Sequence, residues 1–168
     1  VPSTLVSEAA RTLITFSGVT ILPDIPEYYR KYPALLNFLS AQKMPWRESR
    51  TLAGEIGEYI VMMRETDDAY LVGAATNESG RMIDLPLSFL EKGKYTVEVI
   101  EDGDDAHYLT NRESLKTTTR QLTNNDKLTL KLAPGGGACL VIKKTPSMRV
   151  REQATFPLVS PSEKMNAD

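Results

Sequence analysis

The sequence predicts a mainly β fold: an antiparallel β-sandwich of about eight strands preceded by a short α-helical segment. Three observations carry this expectation. An apolar stripe of helical period is confined to the first sixteen residues, a period of two takes over from about residue 50, and polar turn clusters then recur at short intervals. Many short strands at that spacing indicate a sandwich.

The elements follow in order. Leu5, Val6, Ala9, Ala10, Leu13 and Ile14 recur at i, i+1, i+4 and i+5, which predicts an amphipathic helix with a wide stripe over residues 3–16. Gly18, Pro23 and Pro26 punctuate the next stretch, with short helical turns expected over 19–22, 27–32 and 34–41. Strands are expected over 50–54, 58–65, 69–76, 81–85, 115–122 and 138–143. Two more are anchored by Tyr95, Val97 and Val99 against Thr96 and Glu98, and by Leu128, Leu130 and Leu132 against Lys127, Thr129 and Lys131. Turn chemistry separates them at Thr66-Asp67-Asp68, Asn77-Glu78-Ser79-Gly80, Glu91-Lys92-Gly93 and Asn124-Asn125-Asp126. The division is therefore a helical segment over 1–48, a sandwich over 49–144 and an irregular tail over 145–168 that carries three prolines and no sustained period.

Composition narrows the function classes. Twenty basic residues against 22 acidic ones give a net charge of −2, which argues against nucleic acid as a partner because phosphate binding needs a concentrated basic face. No apolar run approaches the length of a membrane span, so no membrane partner is expected. The chain opens at Val1 rather than Met, which suggests a processed or truncated start. A chain of 168 residues is long enough to bury about 68 to 70% of its extended surface in one core. The lone Cys139 cannot form an internal disulfide; in an apolar strand it reads as a buried structural thiol.

Several short features invite chemistry. Pro134-Gly135-Gly136-Gly137 lacks the Lys-Ser/Thr and helix of a phosphate cradle, and fits a connection needing unusual φ or close backbone approach. The acidic run Glu101-Asp102-Gly103-Asp104-Asp105-Ala106-His107 lacks EF-hand spacing. It is read as a solvated loop, with a calcium contact or a contribution to a neighbouring site as alternatives. His107 has no visible nucleophile or orienting partner. Glu55 and Glu58 have the residue types of a glycosidase acid/base pair but read more simply as the rim of a hairpin. Trp46 and Tyr28, with Tyr29 and Tyr32, suit either packing at the helix-to-sheet junction or stacking on a sugar ring. No residue is assigned a catalytic, cofactor-binding or metal-ligating role; Trp46 and Tyr28 are candidate sugar contacts.

Three runs, Leu22-Pro23-Asp24-Ile25-Pro26-Glu27-Tyr28-Tyr29, Pro45-Trp46-Arg47-Glu48-Ser49-Arg50-Thr51-Leu52 and Gly54-Glu55-Ile56-Gly57-Glu58-Tyr59-Ile60-Val61, resemble the C-terminal end of glycoside hydrolase family 97 enzymes. Gly93-Lys94-Tyr95-Thr96, Glu101-Asp102-Gly103 and Leu130-Lys131-Leu132-Ala133-Pro134-Gly135-Gly136-Gly137 continue the likeness in the same order. The resemblance covers residues 5–142. It implies bacterial exo-acting α-glycosidases, of α-glucosidase or α-galactosidase type, with calcium in a catalytic (β/α)8 barrel and a C-terminal sandwich that assists oligomerisation. The family's catalytic and calcium-binding residues lie upstream of this chain, and none is carried over. Residues 5–41 then correspond to the last helical segment of the barrel, and a periplasmic or secreted location is implied.

The expected function is a non-catalytic accessory domain that braces the barrel and aids homo-oligomer formation. A carbohydrate-binding module and an independent structural sandwich are the alternatives. Each apolar side chain on the first helix is worth about 1.5 to 3 kcal/mol if fully buried. Away from a barrel, that helix is expected to expose a sticky face or to find a substitute partner.

Overall fold

The computed structural model describes residues 2–17 and 26–146. The helix α1 spans Leu5–Ile14, α2 Pro26–Lys31 and α3 Pro33–Ser40. The strands are β1 Glu48–Glu55, β2 Tyr59–Glu65, β3 Tyr70–Thr76, β4 Arg81–Pro86, β5 Lys94–Asp102, β6 Leu115–Thr123, β7 Lys127–Leu132 and β8 Gly137–Lys144. The helical turn expected over 19–22 lies outside the described residues, as does the tail beyond Pro146.

All eight strands pair antiparallel, but the two sheets are unequal. Six strands form one sheet in the order β1-β2-β3-β8-β5-β6, and β4 and β7 form the other. The alternation seen in the sequence sets the inner face. Val61, Met63, Val72, Ala74, Tyr95, Val97, Val99, Leu140 and Ile142 point from the large sheet onto Ile83, Leu85, Leu128, Leu130 and Leu132 of the small one. β3 and β8 are buried on both faces, so they read as near-continuous apolar runs.

The second face of the large sheet is covered as well. α1 lies across β3 and β8 and buries Val6, Ala9, Ala10 and Leu13, joined by Leu35 and Phe38 of α3, against Leu71, Ile100, Cys139 and Val141. The apolar stripe of α1 is therefore not bare: of the two outcomes expected for it, an exposed face or a substitute partner, the sheet supplies the partner. The molecule has three layers: helices, six strands, two strands. Among the described residues no helix is long and apolar enough to cross a membrane.

The helix can approach so closely because glycines floor its seat. A Cβ on Gly73 would lie 2.9 Å from the Ala10 carbonyl oxygen. One on Gly137 would lie 2.6 Å from the Ala74 carbonyl oxygen and 2.7 Å from the Ser7 Cα. Backbone, not a yielding side chain, fills that space. Gly137→Ala is expected to lower stability by about 1 to 3 kcal/mol through overpacking, read as a reduced urea midpoint at unchanged slope; an unchanged midpoint would mean that the helix is not seated there.

Candidate functional site

Two buried ionisable side chains mark the ends of α1. At the N-terminus, Thr4 caps the helix by accepting from the Ser7 N–H (3.2 Å). The Thr4 N–H donates to the Gly135 carbonyl (3.1 Å) and the Leu5 N–H to that of Arg112 (2.8 Å), while Arg112 Nε donates to the Ser3 carbonyl (2.8 Å). Beneath this cap lies Asp102, fully buried, whose Oδ2 accepts from the N–H groups of Ala133 (3.0 Å) and Gly137 (2.7 Å). Burial raises the Asp102 carboxyl above its ordinary value; the nearby Thr4 hydroxyl and the two N–H donors oppose the shift. Its Oδ1 has no partner within hydrogen-bonding geometry, and neither has the Ser7 hydroxyl.

At the C-terminus, Arg64 of β2 reaches under the helix while only 3% exposed. Its Nε donates to the Leu13 carbonyl (2.7 Å), Nη2 to the Ile14 carbonyl (3.2 Å) and Nη1 to Ser49 Oγ (2.7 Å). The guanidinium carbon lies 5.2 Å from the Phe16 ring centroid and 5.6 Å from that of Trp46. Burial draws Arg64 below the usual guanidinium value. Orphan carbonyls and the negative end of the helix dipole balance the charge.

The features singled out in the sequence are dispersed. Trp46 is half-buried, packed into the helix-side core and against Arg64, with its indole N–H buried and unpartnered. Tyr28 is exposed on α2, 58% accessible. Glu55 ends β1 and Glu58 closes the β1–β2 turn, where it pairs with Arg81 (2.9 Å), so the two are the rim of a hairpin. His107 stacks on Tyr108, and its Nδ1 accepts from the Leu109 N–H (3.1 Å). Cys139 is fully buried, and burial pushes its thiol well up, which makes it unreactive.

The acidic run is not a loop throughout. Glu101 and Asp102 are the buried end of β5, and Lys116 lies 3.1 Å from Glu101. Asp104 bonds Lys131 (2.8 Å), and Asp105 accepts from Ser114 and from Asn111 (2.8 Å). Among the described residues no three His, Cys, Asp or Glu side chains gather as a metal-ligand group. The calcium implied for the parent barrel finds no fitting donor set there. In the triple glycine, Gly135 has φ +66° and Gly137 is the close approach beneath α1, so the turn is built for geometry.

A groove of about 600 Å³ lies between α1 and the β1–β2 hairpin. It is lined among others by Arg11, Ile14, Glu55, Ile56, Tyr59 and Ile60. Sequence reasoning passed over Arg11 because the hairpin that shares the groove with it lies more than 40 residues away; the one visible signal was an isoleucine at a hairpin tip.

An unequal antiparallel sandwich backed by helices, with its buried ionisable side chains placed at the two ends of a helix, defines a β-sandwich module. Residues 45–143 match the family described as glycosyl-hydrolase 97 C-terminal, oligomerisation, and the chain belongs to that family. It is 35% identical over 127 residues to a retaining α-galactosidase of Bacteroides thetaiotaomicron, covering 76% of this chain and 19% of that protein. It is 26% identical over 130 residues to a probable retaining α-galactosidase of Streptomyces bingchenggensis, covering 77% and 19%. A glycoside hydrolase family 97 enzyme from a Pseudoalteromonas species, solved in complex with acarbose, superimposes with a TM-score of 0.81 at 30% identity over 86% of this chain and 23% of that one. The chain thus spans about a fifth of the length of the curated relatives it matches.

Asp102 supplies a pH test of the helix seat. Its raised carboxyl favours the protonated form when folded, so its contribution to stability is full below the unfolded value of about 3.9 and is lost as pH rises through the folded one. Asp102→Asn keeps an oxygen for both N–H donors and cannot ionise. Its stability relative to the parent chain is expected to increase as pH rises from about 4 to 7, measured by urea denaturation; a constant or falling difference would contradict this. Asp102→Ala, which strands both donors, is expected to cost about 1 to 3 kcal/mol per donor.

Proposed function

We propose that the chain serves an α-galactosidase-type family 97 enzyme as its C-terminal accessory module. In this reading it braces a catalytic barrel through the helical layer, residues 1–48, and holds copies of the enzyme together through the sandwich, residues 49–144, at an extracytoplasmic location. The observation that carries this reading is the family match over residues 45–143, whose description is oligomerisation.

Two further facts support it. The structural likeness extends over 86% of the chain, more than residues 45–143 account for, so it reaches beyond the sandwich. Four of the large apolar side chains left exposed, Phe16, Tyr28, Leu36 and Met44, fall in the helical segment that covers one face of the sheet.

The chain is expected to sediment as a species larger than 18.7 kDa and to release no product from an aryl α-galactoside. Sedimentation as a monomer at all concentrations would contradict the assembly role. Turnover that disappears in Glu55→Gln or Glu58→Gln would contradict the accessory role.

A further inference from the structure

We propose that the groove between α1 and the β1–β2 hairpin receives the hairpin tip of a second copy of this chain, with Ile56 of each copy seated in the groove of the other and Arg11 paired with the partner copy's Glu55. This rests on the self-association reading above and extends its surface from the sandwich hairpin onto the flank of α1.

Three observations carry it. Ile56, a β-branched apolar residue, stands fully exposed at the tip of a two-stranded hairpin, beside Gly57 at φ +82°. Such tips ordinarily hold polar turn residues. The groove beside it is floored by Ile14, Tyr59, Ile60 and Ala75, and its volume of about 600 Å³ is several times that of one isoleucine side chain.

The rim is charged with opposite signs on opposite elements. Arg11 comes from the helix and Glu55 from the hairpin, and among the described residues neither has an ion pair or a side-chain hydrogen bond. Neighbouring charges are engaged: Glu58 with Arg81, and Arg50 with Glu48. One apolar knob, one apolar groove, one unspent cation and one unspent anion on a single patch are self-complementary under a two-fold axis. An isologous dimer requires that property, since residue i meets residue j and j meets i. Rim charges of this kind steer encounter and fix register, while the buried knob supplies affinity.

The test is sedimentation equilibrium of the full 168-residue chain across a concentration series. The parent chain is expected to be a reversible dimer. Ile56→Glu, Arg11→Glu and Glu55→Arg are each expected to weaken dimerisation by about tenfold or more. The double reversal Arg11→Glu with Glu55→Arg is expected to restore it, a recovery that a misfolded variant cannot give. A dimer indifferent to all three single changes, or unrescued by the double reversal, overturns this surface and leaves the assembly role standing. A parent chain that stays monomeric overturns both.

Discussion

The structure depends on one packing constraint: a helix laid directly on the two central strands of the sheet. β3 and β8 are the two central strands of the six-stranded sheet, buried along nearly their whole length, and α1 reaches them because Gly73 and Gly137 present no side chain. That contact converts a two-layer sandwich into three layers. It also explains an imbalance that would otherwise be unstable. A two-stranded sheet covers only part of a six-stranded one, and the apolar face left over is buried by helices instead.

Electrostatics fix the helix where the glycines let it lie. Asp102 lies beneath its N-terminal cap and Arg64 beneath its C-terminal carbonyls, so each buried charge opposes the partial charge of the helix end it touches. A buried ion without a counter-ion is costly. Here backbone donors and acceptors take that place: two N–H groups for Asp102, two carbonyls and a hydroxyl for Arg64. Arg64 specifies register, because a helix shifted by one turn would take the Leu13 and Ile14 carbonyls away from its guanidinium. The sheet edges are handled differently. β1 is broken by a bulge between Thr51 and Ala53, and β6 carries Lys116 and Arg120 among exposed threonines. Neither edge is a flat apolar strand, which disfavours edge-to-edge pairing.

Much of this was legible in the residues. Alternation at Tyr95, Val97 and Val99, and at Leu128, Leu130 and Leu132, placed each residue on its observed inner face, and the wide stripe of α1 anticipated Val6, Ala9, Ala10 and Leu13 as its buried side. The partner of that stripe was not legible, because Gly73 looks like any strand glycine until the helix above it is seen. The pairing of β8 between β3 and β5 is likewise a long-range fact that no local period encodes. Arg64 and Asp102 were hidden by type: a charged residue in an alternating strand reads as solvent-facing, and Asp102 stood in an acidic run that looked like a loop. Trp46 was recognised at the junction, but its engagement with Arg64 depends on a residue 18 positions on.

The central claim is that α1 and the sheet are one cooperative unit. Native-state hydrogen exchange measures this most directly, since it reports the free energy of opening amide by amide. The account predicts that the amides of Ala9, Ala10 and Leu13 in α1 exchange through the same global opening as those of Val72 in β3 and Leu140 in β8. Exchange of the α1 amides at a distinctly lower opening free energy, with the sheet still protected, would show an appended helix and contradict it.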